Sequence, residues 1–366
     1  MSDTRHSPTA PSWRDDPAWP DVDVVMPIRD EADHLQTAVE SVRRQTYPGR
    51  MTIVLGVAPS GDGTEALAAR LAADADDLFV VDNPSGRTPS GLNASIRAGT
   101  APVVVRVDGH SELSAGYIRR AVDVLRTTGA ANVGGIQRPE PTTPFQQSVT
   151  DATTSLLGTG GASYRLGTEA GPVDTVYLGV FDRDAIEAVG LFDEQLLRNQ
   201  DYELNIRLRN AGRTIWFDPS LSVGYTPRST WSALARQYYE YGWWKAVVLR
   251  KHPHSLKFRQ LVPPIGLLGV LLGCCAGLRW RAALLLPATY TASLAVAARS
   301  TRRPTHTMAV LLTTHTAWVA GLLRGLGRTV VGRRQRGDRE TTAHRAAEVV
   351  WRSDNRSGLN EGRRVD

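Results

Sequence analysis

From Asp21 to Val107 the chain alternates between two hydrophobic periods, and this alternation limits the possible fold more than any other feature of its 366 residues. The runs "DVDVVMPI", "MTIVLGV", "DDLFVV" and "PVVVRV" are short and rich in β-branched residues. Between them, "EADHLQTAVESVRRQ" places Leu35, Val39 and Val42 at helical spacing, "TEALAARLAA" is a second helix, and "SGLNASIRAGT" is a third that closes on Gly99. Strands joined through helices build crossovers and a mostly parallel sheet, so the fold class is α/β. In such sheets ligands bind beyond the carboxyl ends of the strands.

The fourth strand runs into Asp108, Gly109 and His110, none of which belongs in a hydrophobic sheet. In an extended segment residues two apart share a face, so Asp108 and His110 can point the same way, and Gly109 lets a ligand come close to the backbone. A carboxylate with an imidazole suits a divalent metal that completes its shell with phosphate oxygens. A polar turn capping the next helix has the same composition. Asp30 and Glu31 follow the first strand, Asp62 sits in "PSGDGT" after the second, and Arg87 and Asn93 lie between the third strand and its helix. These are positions where doubly wound folds bind nucleotides, and they are also ordinary capping positions. Asp201 opens "DYELNIRLRNAG", where the helix dipole favours a carboxylate whether or not it reacts.

A hydrophobic share of 42% supports one large α/β domain or two smaller ones, and a net charge of +6 fits an anionic partner: nucleic acid, lipid headgroups or a phosphorylated substrate. The two cysteines, Cys274 and Cys275, are neighbours in a charge-free run, which gives no disulfide framework and favours a reducing compartment for the soluble part. Residues 1–20 have no basic segment followed by an apolar one, so they read as a polar, disordered tail rather than a signal peptide. The charged stretch 331–366 reads as a second disordered tail. From Arg228 to Arg259 seven basic residues stand against Glu240 alone. Residues 262–278, 282–298 and 308–323 are nearly free of charge and are separated by "RWR" and "RSTRRPTH". At about 1.5 Å per residue each run spans roughly 25 Å, slightly short of a hydrocarbon core. Three such runs with basic edges predict a membrane-associated region over 253–330, although buried core helices have the same length. Basic residues flank every run, so the positive-inside rule sets no topology. In "QYYEYGWWK", Gln237 to Lys245, the aromatics read as anchors at a membrane interface, with stacking on a sugar or lipid head as a second role.

Taken in order, "VVMPIRDE", "PSGDGT", "SGLNASIRAG", "VVVRVDGH", "GTGGASYR", "VGLFDEQLLRNQDYELNIRLRNAG", "PRSTW" and "RQYYEYGWWK" resemble the family 2 glycosyltransferases, especially the succinoglycan-type exopolysaccharide branch. The resemblance covers residues 22 to about 252 and implies a GT-A domain over 21–252, a nucleotide-sugar donor (a UDP-sugar first), Mn²⁺ or Mg²⁺, and inversion at the anomeric carbon. By position it makes Asp108 and His110 the first and last residues of the family's DxD element and the metal ligands, and Asp201 the catalytic base. It places Pro27, Asp30, Glu31, Asp62, Arg87, Asn93, Asp108 and Gly109 near the nucleotide sugar. Gln200, Glu203, Gln237, Tyr238, Gly242 and Trp243 fall in the acceptor region or support it. Three departures stand out: Val57 occupies the place of an Asp that helps recognise uracil, Gln200 replaces the Glu before the base, and QxxRW is missing. The implied acceptor is a polyprenyl-diphosphate-linked saccharide at the cell membrane, with the catalytic domain in the cytoplasm. A dolichol-phosphate-type transferase or processive synthase is an alternative, the synthase disfavoured by the missing QxxRW. A catalytically silent scaffold that binds nucleotide sugars is another, resting on Val57 and Gln200. Nucleic-acid binding has no motif to accompany the charge.

Overall fold

The computed structural model describes residues 12–327. Four strands, β1 (Val22–Ile28), β2 (Met51–Val57), β3 (Leu78–Asp82) and β4 (Val103–Arg106), are linked by the helices α1 (Leu35–Arg43), α2 (Thr64–Ala73) and α3 (Thr88–Ala98). They lie in the order β3-β2-β1-β4, all parallel, as the alternation of periods requires. Period-two alternation divides the valines between two cores. Val22, Val24, Val103 and Val105 join Leu35, Val39 and Val42 on one face, while Val25 and Val104 meet Leu92 and Ile96 on the other.

The second half begins with α4 (Tyr117–Thr128) and β5 (Asn132–Pro139), followed by three short-to-medium helices, α5 (Pro144–Thr153), α6 (Leu156–Thr159) and α7 (Ser163–Leu166). Then come β6 (Gly171–Pro172), β7 (Tyr177–Asp182), α8 (Arg183–Ala188), α9 (Gln200–Asn210), β8 (Ile215–Tyr225) and the long α10 (Trp231–Lys251). The sheet continues β4-β7-β5-β8-β6, with β7 antiparallel to both β4 and β5. The result is a mixed, mostly parallel sheet of eight strands with helices on both faces.

Part of the expected N-terminal tail, residues 12–20, is packed against the domain. Residues 12–20 are tied down: Arg14 pairs with Asp182 at 2.7 Å and donates to the Ala130 carbonyl, and Trp19 stacks edge-on against Tyr47. Two tryptophans and a partly buried ion pair supply the apolar and charged anchors that an overall polar composition conceals. Residues 1–11 and the expected tail 331–366 lie outside the described residues.

After α10 come α11 (Val262–Gly277), α12 (Leu285–Ala298) and a further helix, α13, over 304–327. Two stretches, Phe258–Gly277 and Arg281–Ala298, are long and apolar enough to cross a membrane, and little of either is buried. Leu268, Leu271, Leu272 and Leu285 are each more than half exposed. The third apolar run behaves differently. Within α13, Thr307, Val310, Leu311, Thr314 and His315 are buried, and Val310 and Leu311 share a core with Val149, Ala152, Leu234 and Leu294. Where α13 crosses α10, a Cβ on Gly242 would strike the Trp318 backbone and one on Gly321 the Tyr239 backbone, so glycines permit the two helices to touch main chain to main chain.

Candidate active site

The carboxyl ends of β1, β2 and β4 converge, and their loops are laced together. Asp30, at φ 51°, accepts from the Gly61 N–H at 3.1 Å while its own N–H donates to Ser60 Oγ. Asp62 accepts from the Ala32 N–H at 3.0 Å, and the Glu31 N–H donates to Thr64 Oγ1 at 2.8 Å. The Thr64 hydroxyl and the Ala32 N–H hold the exposed Asp62 carboxyl below its ordinary range. Pro27 lies inside β1 beside Gly56 of β2. Arg87, on the rim of α3, reaches the Glu194 carbonyl at 3.3 Å. Asn93 is buried and clamps α3 to the 192–194 turn, donating to the Phe192 carbonyl and to Glu194 and accepting from the Phe192 N–H.

The fourth strand carries a residue that sequence reasoning passed over. Arg106 follows Val104 on the α9 side of the sheet, and its side chain is 4% exposed. It spans two carboxylates: Nε and Nη2 donate to Asp108 Oδ1 at 3.1 and 2.9 Å, and Nη1 donates to Asp201 Oδ1. Burial works against the guanidinium's charge, but Asp108 and Asp201 outweigh it and hold the proton more tightly than usual. Phe192 covers its outer face with the ring centroid at 6.0 Å. A buried arginine in a valine strand, two residues before an acid, was the available signal; strand alternation alone reads it as a solvent-facing polar position.

Asp201 arrives from the helix packed on that same side of the sheet. It lies in the first turn of α9, which starts after Asn199 at φ 61°, a left-handed residue whose side chain donates to the Tyr241 carbonyl of α10 at 3.3 Å. Asn205 fixes the helix by donating to Thr175 and accepting from Asn132 of β5, both bonds buried. Burial raises the Asp201 carboxyl above the ordinary aspartate range, with Arg106 opposing and Asp108 adding to the rise. Gln200 is buried beside it. Glu203 is engaged elsewhere, paired with Arg207 at 2.8 Å and with His252 at 2.9 Å, tying α9 to the end of α10.

Gly109 is buried where a Cβ would meet Ile28 at 2.9 Å and Glu31 at 3.1 Å, so only glycine lets the turn after β4 lie against the turn after β1. That contact brings His110 Nδ1 to 2.7 Å from Glu31 Oε1, and the bond raises the imidazole pKa. Asp108 spends Oδ1 on Arg106 and His110 spends Nδ1 on Glu31, which leaves one carboxylate oxygen and Nε2 available. Such a pair fits a divalent ion whose remaining positions are filled by diphosphate oxygens. Among the described residues no group of three or more His, Cys, Asp or Glu is placed to hold an ion by itself. On α10, Gln237 donates to the Tyr241 hydroxyl at 3.1 Å, Tyr238 packs edge-on to Tyr241, and Gly242 with neighbouring Trp243 sits at the α13 crossing.

A family model described as Glycosyltransferase like family 2 matches residues 20–239, which contain every group just described from β1 to Tyr238. Over 316 residues the chain is 30% identical to the succinoglycan biosynthesis protein ExoA of Rhizobium meliloti (strain 1021), covering 83% of this chain and 94% of that protein. Over 239 residues it is 21% identical to the dolichyl N-acetyl-alpha-D-glucosaminyl phosphate 3-beta-D-2,3-diacetamido-2,3-dideoxy-beta-D-glucuronosyltransferase of Methanococcus voltae, covering 63% and 74%. Among solved structures, the mannosyltransferase PcManGT from Pyrobaculum calidifontis, in complex with GDP-Man and Mn²⁺, aligns with a TM-score of 0.60 at 19% identity over 85% of this chain and 88% of that one, which identifies the fold as GT-A. A shared fold, a family model over more than half the chain, and a relative similar along nearly its whole length lead to one assignment: the chain belongs to glycosyltransferase family 2.

Proposed function

We propose that the protein transfers a sugar, with inversion, from a nucleotide-sugar donor to a hydroxyl of a polyprenyl-diphosphate-linked saccharide in cell-surface polysaccharide biosynthesis. The observation that carries this reading is Arg106, which holds Asp108 and Asp201 on one buried guanidinium at the carboxyl edge of the sheet. In a single displacement the acceptor oxygen bonds to the anomeric carbon as the bond to the diphosphate breaks, and the leaving group departs with that electron pair. The acceptor proton must go to a base. Asp201 is that base: its burial raises proton affinity, and Arg106 fixes its position. Asp108 and His110 would hold a divalent ion together with the donor's phosphate oxygens, and the ion would supply Lewis-acid stabilisation of the departing charge. The mannosyltransferase of the same fold was solved with GDP-Man and Mn²⁺, in keeping with such an ion.

The loops after β1 and β2, which carry Asp30, Glu31 and Asp62, form the wall for the nucleotide; a UDP-sugar is the first donor to test, with Val57 in place of the acid that would read its base. The exposed apolar faces of α11 and α12 seat the enzyme in the cell membrane, with the catalytic domain on the cytoplasmic side where nucleotide sugars are made. The names of the R. meliloti and M. voltae relatives, one in succinoglycan biosynthesis and one acting on a dolichyl-linked sugar, support a lipid-linked acceptor. The test is diphosphonucleoside release from UDP-, GDP- and dTDP-sugars with Mn²⁺ or Mg²⁺ and extracted lipid acceptor. Metal-dependent release that disappears in Asp201→Asn is expected; undiminished release in that variant overturns the assignment of the base.

A further inference from the structure

One cation near the acceptor side remains outside the chemistry above. Arg165 lies on α7, and among the described residues its Nε and Nη1 are shut off from solvent and have no hydrogen-bond partner. No carboxylate forms an ion pair with it among those residues. Aromatic rings stand around it instead: the guanidinium lies 5.8 Å from the Tyr164 ring centroid and 5.3 Å from that of Tyr225, and Tyr238 and Tyr241 of α10 are close enough to influence its charge. Rings stabilise a cation through their faces but accept no N–H bonds of ordinary strength, so the donors of this fork are left unused. The residue as a whole is only partly buried, while Nε and Nη1 of the guanidinium are enclosed.

Its surroundings suggest what reaches it. Tyr241 receives through its carbonyl the Asn199 bond that sets the start of α9, two residues before Asp201. In α6, the helix just before the α7 that carries Arg165, stands Leu157. That residue lines an apolar cavity of about 260 Å³ with Phe258, Leu261, Ile265, Tyr290 and His315, between the domain and the helices α11 to α13. The segment 157–165 therefore runs from the wall of an apolar cavity to the unpaired guanidinium.

We propose that Arg165, flanked by the rings of Tyr164 and Tyr225, binds the diphosphate that joins the acceptor saccharide to its polyprenyl chain. A planar fork with unused donors matches phosphate oxygens, and the apolar cavity takes the first isoprenyl units. The inference rests on the lipid-linked acceptor proposed above and assigns the residue that recognises its charged joint.

The experiment uses the full chain in detergent micelles and measures binding of geranylgeranyl diphosphate, geranylgeraniol, inorganic pyrophosphate and UDP to wild type, Arg165→Gln and Arg165→Lys. Wild type is expected to prefer the lipid diphosphate over the alcohol by about tenfold or more, the scale of a charge-assisted hydrogen bond. Arg165→Gln should lose most of that preference, Arg165→Lys should keep part of it, and UDP affinity should not change in either. Equal binding of diphosphate and alcohol by wild type overturns the proposal without needing any variant to fold. So does a full preference in Arg165→Gln, or a loss of UDP binding that would place Arg165 at the donor. Pyrophosphate binding as tightly as the lipid diphosphate would make the site one for free anions and would also overturn it. Sugar transfer in the same preparation is read separately. If no donor is consumed while the Arg165-dependent preference persists, the transferase reading fails and the anion site stands.

Discussion

The parallel strands β1 to β4 and the layer formed by α10 to α13 use burial in opposite ways. In β1, β2 and β4 the valines are inside, and Asp30, Asp62 and Asp108 stand at the carboxyl edge, each held by a named donor. In the helical layer leucines point outward, Leu268 at 54% and Leu272 at 55% exposed, while an amine, Lys245, is 2% exposed. Lys245 Nζ sits 4.5 Å from the Tyr202 ring centroid and donates to the Ser255 carbonyl at 2.9 Å. The first region is organised against water. The second leaves leucines outside and encloses polar groups such as Lys245, Thr307 and Thr314.

Four measurements can break or sharpen this contrast. Replacing Leu268, Leu271 and Leu272 by Arg should have the largest effect, because each charge at mid-bilayer costs roughly 2.5–3.5 kcal/mol on the insertion scale. The triple variant is expected to leave the membrane pellet after carbonate extraction, and its retention there would mean that α11 does not face lipid. Next, Arg106→Met strands two carboxylates at the sheet edge. With both carboxylates partly exposed, the stability cost should lie below that of a fully buried pair, about 3–5 kcal/mol, and turnover should fall by at least about a hundredfold given the role of preorganised electrostatics. Unaltered turnover in that variant would remove Arg106 from the site. Third, Gly321→Val forces a side chain into the Tyr239 backbone, and overpacking typically costs about 1–3 kcal/mol. A thermal midpoint equal to wild type would show that α13 is not docked on α10.

The smallest effect is in a slope. Burial lowers the Lys245 pKa to about 7, far below the value near 10.5 that it has when unfolded. Between those two values the unfolded chain binds more protons, so stability rises as pH goes from about 7 towards 10 and is flat in this respect below 7. Lys245→Met should abolish the rise, as followed by denaturation in detergent at pH 7, 8 and 9. A slope unchanged by the substitution would mean that the amine is charged and solvated in the folded protein.

Legibility in the sequence follows the same division. The strands and helices from Val22 to Arg106 could be read because their periods are local, and Asp108, His110 and Asp201 could be placed because they interrupt those periods at an edge or a helix start. The insertion of β7 between β4 and β5 could not, since "YLGVFD" looks like any buried strand and its partners are set by pairings far along the chain. Arg106 was hidden because alternation assigns a polar residue in a strand to the wet face, whereas here two acids from distant segments make the dry face tolerable. For α13, an apolar run has the same composition whether protein or lipid covers it. The distinguishing marks were Thr307, Thr314 and His315 on one side and glycines at the crossing, which acquire meaning only beside α10.

The lacing of the loops after β1 and β2 has a consequence for donor choice. With Asp30 bonded to Gly61 and Asp62 to Ala32, the main chain of both loops has lost its freedom during folding, before any nucleotide arrives. Binding at the donor wall proposed above would then forfeit little further conformational entropy, and discrimination between bases would rest on the shape of a wall already set. On that proposed reading, retuning from one nucleotide to another would require coordinated changes in both loops, because a substitution in one alone would be resisted by the other.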